Sequence, residues 1–104
     1  MLTGTQHCLR ALGYVSQYLE LEAHDRTTID LPQIQHDLAA AVLALNKPTV
    51  IFLLNGGAVA IDAEVAHKGD APLAIIEAFY PGLRGGEALA QGIFGKHNKW
   101  GRLP

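Results

Sequence analysis

The sequence predicts an α/β domain, a partial three-layer α/β/α sandwich built on a mostly parallel sheet. Three observations carry this expectation: a continuous β-branched and aromatic run at residues 50–54, a second apolar run at 73–79, and helical periodicity before the first and after the second. Unbroken apolar strands are buried on both faces, as in parallel sheets covered by crossover helices. With 104 residues, 49% apolar and 17% charged, the chain is the size of one domain and rich enough in apolar residues to pack a core.

The elements follow in order. Leu9, Ala11, Leu12, Tyr14, Val15, Tyr18 and Leu19 fit neither a two-residue nor a helical period, so residues 1–19 stand as a poorly matched N-terminal segment. Residues 20–30 are polar and read as a loop. Pro32 suits the first turn of a helix, with Asp30 or the residue after it as the cap. Ile34, Leu38, Ala41, Val42 and Leu45 then define an amphipathic stripe that ends near Asn46, where Lys47 and Pro48 stop the helix. After the first strand comes the turn Asn55-Gly56-Gly57, and residues 59–66 read as a short helix or irregular crossover. Glu77 interrupts the second apolar run. A glycine-rich loop leads into a helix over 87–94, closed by Gly95 in the left-handed cap position.

In such a sheet ligands gather outside the carboxyl ends of the strands, which places the loops after Leu54 and after Phe79 at the predicted site. Two strands are fewer than a parallel sheet usually has, so the module is expected to be cut short. Its open sheet edges are expected to pair with something, a second copy included.

Composition narrows the partners. A formal net charge of −2 with both signs scattered offers no field for nucleic acid or an anionic membrane, and neither is predicted. No apolar stretch approaches the ~20 residues of a membrane-spanning helix, and residues 1–12 do not read as a secretory signal. Cys8 is the single cysteine and is read as a small apolar residue. His7, His24, His36, His67 and His97 show no i, i+4 pair and no cysteine partner, so neither metal nor cofactor is predicted. Lys96, Lys99 and Arg102 with Trp100 form a weak basic and aromatic patch, and Trp100 is expected to pack on a neighbouring surface.

Glu20 and Glu22 are the candidate reactive pair. Two apart in an extended segment, they point to one side and each raises the other's pKa, and a carboxyl held neutral can act as a general acid. On spacing alone two solvated loop charges are the favoured reading. His24, Asp25 and Arg26 could hydrogen-bond sugar hydroxyls, or Asp25 and Arg26 could form a surface ion pair. The Asn55-Gly56-Gly57 turn lacks the spacing of a dinucleotide or phosphate loop. The loop from Tyr80 to Gly86 could place an anion at a helix N-terminus, or use its glycines for close packing.

Several segments taken in order resemble one family. They are Glu20-Leu21-Glu22-Ala23-His24-Asp25-Arg26, then Asp30-Leu31-Pro32, then the run from Lys47 to Asn55-Gly56-Gly57. Glu77-Ala78-Phe79-Tyr80-Pro81-Gly82 with Gly85-Gly86, Phe94-Gly95 and Gly101-Arg102-Leu103-Pro104 complete the set. The family is the C-terminal α/β-sandwich domain of glycoside hydrolase family 3, the β-glucosidases and β-xylosidases. The resemblance covers residues 20–104 and implies a partial C-terminal domain, with the family's N-terminal barrel absent from this chain. It also implies retaining hydrolysis of terminal β-linked sugars, with an aspartate nucleophile on the barrel and a glutamate acid/base on this domain. Glu20 is the match for that acid/base and Glu22 the runner-up. Retaining chemistry holds its two carboxyls ~5–5.5 Å apart across the sugar, so the isolated chain is expected to be inactive without a barrel. The alternative is a non-catalytic remnant or sugar-binding module.

Overall fold

The computed structural model describes residues 8–13, 23 and 25–103. Six elements alternate along the chain: β1 (Cys8–Gly13), α1 (Gln33–Leu43), β2 (Thr49–Leu54), α2 (Asp62–Val65), β3 (Leu73–Glu77) and α3 (Gly85–Ile93). The strands form one parallel sheet in the order β1-β2-β3. Parallel neighbours need crossovers, and α1 and α2 supply them. The predicted α/β class is therefore observed, with one strand more than the apolar runs indicate. β1 lies in the segment without a readable period, and its register, Cys8 with Thr49 through Gly13 with Leu54, follows from pairing to β2.

The core lies between the sheet and the layer of α1 and α2. Leu43 of α1 packs with Ile51 and Leu53 of β2, and Val59, Ile61, Leu73 and Ile75 close around them. On the opposite face, Val50, Ala74 and Ile76 look across a cleft of about 690 Å³ to Gly92 and Ile93 of α3 and to Trp100. The Trp100 indole lies over Gly92, the packing expected for it.

Two local expectations change. α1 begins at Gln33, and Pro32 is its cap with an extended ψ of 139°, its carbonyl accepting the Gln35 N–H at 2.8 Å. Asp30 makes no cap because its carboxylate accepts from the Thr28 hydroxyl at 2.7 Å. The buried residues of α1 are Ala39, Val42 and Leu43, whereas Ile34 (76% exposed), Leu38 (46%) and Leu45 (55%) face outward. The reason is the neighbour: α1 docks on α2 through His36, whose Nδ1 lies 2.7 Å from Glu64 Oε1, and that contact turns the His36-Ala39-Leu43 line inward.

The stops hold. Asn46 follows α1 with φ 48°, a left-handed conformation that asparagine tolerates, and its Oδ1 accepts the Ala71 N–H at 3.0 Å. Gly95 follows α3 with φ 73°. No helix among the described residues is long and apolar enough to cross a membrane.

Candidate functional site at the carboxyl edge

All three strands run in one direction, so Gly13, Leu54 and Glu77 end at a common edge. The loops leaving that edge carry the polar groups. Asn55 follows β2 and is 2% exposed. Its amide nitrogen donates to the Gly57 carbonyl at 2.6 Å and to Glu77 Oε2 at 3.3 Å. Both partners are acceptors, which fixes the amide's orientation and leaves Oδ1 buried and unpartnered among the described residues. Glu77 closes β3, and its Oε1 accepts the Phe79 N–H at 3.0 Å. One carboxylate thus ties the loop after β2 to the loop after β3.

Phe79 sits at φ 48°, where a bulky residue is strained by about 1–2 kcal/mol. The bond to Glu77 holds it there and delivers Tyr80 onto Gly56. A Cβ at Gly56 would stand 2.8 Å from the Tyr80 ring, and one at Gly57 3.0 Å from the Arg26 guanidinium. A side chain at either position would have to displace the Tyr80 ring or the Arg26 guanidinium, which rest directly on the turn's backbone. Tyr80 remains 74% exposed, its ring lying along the edge.

Of the predicted site residues, Glu20, Glu22 and His24 lie outside the described residues. Asp25 is exposed and Arg26 half-buried. Arg26 donates to the Ala58 carbonyl at 2.5 Å, so it reaches the loop after β2. Next to it, Ala60 donates its N–H to the Ile29 carbonyl at 2.8 Å, and Asp30 bridges Ala60 in parallel. Residues 26–30 are laid along the carboxyl edge by these contacts. A charge-assisted bond at a partly exposed site contributes about 1 kcal/mol, and Arg26→Ala should lower stability by that amount. Faster exchange of the Ala60 amide, with the core amides unchanged, is the accompanying signal.

Glu77, Asn55 and Tyr80 were not singled out as site residues by sequence reasoning. The signal for Glu77 was present, a lone charge at the carboxyl end of an otherwise apolar strand. At the start of α3, Arg84 donates from Nε and Nη2 to Glu87 Oε2, at 2.9 and 2.6 Å. The acidic Glu87 thus occupies the first turn where an anion was one reading. Among the described residues, no three His, Cys, Asp or Glu side chains are grouped to hold a metal ion.

A parallel α/β domain with its polar and aromatic groups gathered on the carboxyl edge is the class that fold and site define. Within that class the chain belongs to a particular family, the glycosyl hydrolase family 3 C-terminal domain, which residues 3–104 match. It is 42% identical over 89 residues to a periplasmic beta-glucosidase of Salmonella typhimurium, covering 86% of this chain and 11% of that protein. It is 44% identical over 85 residues to a probable beta-D-xylosidase 6 of Arabidopsis thaliana, covering 82% of this chain and 11% of that protein. A probable beta-D-xylosidase 7 of the same plant is 40% identical over 102 residues, 97% of this chain and 13% of its own length. The chain therefore spans about a tenth of the length of these relatives. No solved structure matches it.

Proposed function

We propose that this chain is the acid/base-bearing piece of a retaining β-glycosidase acting on terminal β-glucosides or β-xylosides, completed by a barrel domain that carries the nucleophile. The observation that carries the reading is the position of the acidic segment's two flanks. Gly13, which precedes it, is paired with Leu54, and Arg26, which ends it, is bonded to Ala58, four residues beyond that pairing. Both flanks lie at the carboxyl edge, where a ligand of an open α/β sheet binds. Glu20 is the acid/base in this proposal and Glu22 the second choice, with His24, Asp25 and Arg26 toward the sugar hydroxyls.

A retaining site protonates the leaving oxygen with one carboxyl while the other attacks the anomeric carbon, and then reuses the first as a base for water. Neither step proceeds with one carboxyl alone. The isolated chain is therefore expected to leave a chromogenic β-glucoside and β-xyloside uncleaved, and a fusion to a family barrel domain to cleave one of them. In that fusion Glu20→Gln should lower kcat by about 10²–10⁴, the usual contribution of general acid–base catalysis. Full activity in the Glu20→Gln fusion with loss in Glu22→Gln would transfer the role to Glu22. An inactive fusion that still binds sugar would favour a sugar-binding module.

A further inference from the structure

The carboxyl edge holds one buried polar group at a cost to stability. Asn55 is 2% exposed, and its amide donates to two acceptors, the Gly57 carbonyl at 2.6 Å and Glu77 Oε2 at 3.3 Å. Its own acceptor, Oδ1, is buried with no partner among the described residues. A turn residue placed for stability alone would satisfy both ends of its amide, since an orphan acceptor costs at least as much as a hydrogen bond contributes. Turning the amide over would set Oδ1 against two oxygens, so Glu77 and Gly57 together dictate its orientation.

Glu77 anchors this arrangement. It ends β3 opposite Leu53 of β2, so the sheet ladder holds its backbone, and it is the single charge in a strand that reads Leu73-Ala74-Ile75-Ile76-Glu77. Its two oxygens serve different loops: Oε1 takes the Phe79 N–H at 3.0 Å and Oε2 takes the Asn55 amide. Asn55 passes the constraint to the Gly57 carbonyl. The Arg26 guanidinium rests on that turn, 3.0 Å from where a Cβ of Gly57 would stand. Arg26 donates to the next carbonyl, that of Ala58, and two residues further on Ala60 donates its N–H to the Ile29 carbonyl at 2.8 Å. A half-buried carboxylate on β3 is in this way connected, across β2, to residues 26–30, which follow the acidic segment.

We propose that Glu77 is a positioning residue of the glycosidase site, acting through Asn55 and the Gly56-Gly57 turn to set Arg26, and with it the end of the acid/base segment, where a bound sugar meets the carboxyl edge. The inference rests on the reading above, in which that segment carries the acid. Glu77 touches no reacting atom in this role. A carboxylate is required because both groups facing it are N–H donors. Glutamine would offer one acceptor and turn its NH₂ against the other donor, so one of the two loops is released. A misplacement of about 1 Å costs a reaction about 10²-fold, so a residue remote from the bond being cleaved can have an effect of catalytic size.

Two measurements test this. In this chain, Glu77→Gln and Asn55→Ala should each speed exchange of the Ala60 amide roughly tenfold, the double variant should add nothing further, and the Ile51 amide should stay unchanged. In the fusion to a barrel domain, kcat/KM is compared for two β-glycosides of the sugar it cleaves. A methyl glycoside needs a proton on its leaving oxygen, whereas a dinitrophenyl glycoside departs as a stable phenolate without one. Glu77→Gln should lower kcat/KM about 10²-fold for the methyl glycoside and by less than about threefold for the dinitrophenyl glycoside. Glu87→Gln, on an exposed glutamate of α3 bonded to Arg84 and Gln91, should change neither. Equal losses on both glycosides would make Glu77 a structural or sugar-contacting residue and overturn the proposal, as would unchanged Ala60 exchange in the variants of an active fusion. An unaltered fusion that cleaves neither glycoside would sink the glycosidase reading, and the positioning of its acid with it. Should Glu77→Gln fail to fold, Asn55→Ala reads the same tie from its other end.

Discussion

His36→Ala is expected to destabilise the domain by about 1–3 kcal/mol, the cost of leaving a buried polar group without its hydrogen-bond partner. Glu64 is 3% exposed on α2, one of its oxygens lies 2.7 Å from His36 Nδ1, and the other has no partner among the described residues. Removing the imidazole strands a carboxylate in the interface of two crossover helices. The cost comes less from the lost attraction than from the desolvated group left behind. A loss of this size is a large share of the 5–15 kcal/mol by which a domain is normally stable. Urea unfolding of His36→Ala, Glu64→Gln and the double variant forms the decisive cycle. Glu64→Gln should cost about 1 kcal/mol, because it keeps an acceptor for His36 and removes the charge. His36→Leu with Glu64→Met should recover most of the loss, since apolar groups of similar volume replace both partners. An unchanged midpoint for His36→Ala would refute the role of the pair.

The second large effect lies in the core. Ile51→Ala should cost about 3–4 kcal/mol, within the usual range for isoleucine to alanine at a packed site. Ile51 is 3% exposed, between Leu43 above it and the paired strands on either side. The neighbours that would have to close the cavity belong to the sheet and to α1, both rigid elements, so little of the void can collapse. Ile34→Ala is the control: the same chemistry on the outward stripe of α1 should change stability by less than about 0.5 kcal/mol. Equal losses at the two positions would mean that the wrong face of α1 is buried.

That contrast shows where the fold was legible. The existence and length of α1 were readable because apolar residues recur at helical spacing and Asn46, Lys47 and Pro48 stop it. Its buried face was not, because the helix carries two apolar lines and a pairing 28 residues away, His36 with Glu64, selects between them. β2 was readable as an unbroken apolar run and β3 as an apolar run that Glu77 interrupts. β1 was not, since Arg10, Ala11 and Gly13 blur its pattern and its strand conformation is imposed by pairing with β2. At the site, Asn55 was readable as a turn residue but its bond to Glu77 was not, because the two meet only when β2 and β3 are aligned. The acidic pair at Glu20 and Glu22 drew its meaning from the order of several motifs, none of them decisive alone.

The unequal spacing of the strands also sets an order of assembly. About twice as many residues separate β1 from β2 as separate β2 from β3. Closing the longer loop costs about 0.6 kcal/mol more, and its contacts are correspondingly slower to form. The unit from β2 through β3 is the natural nucleus: it contains most of the core, and Asn46 pins its entrance to Ala71. β1, whose contacts with β2 close the longer loop, is the strand whose pairing forms latest.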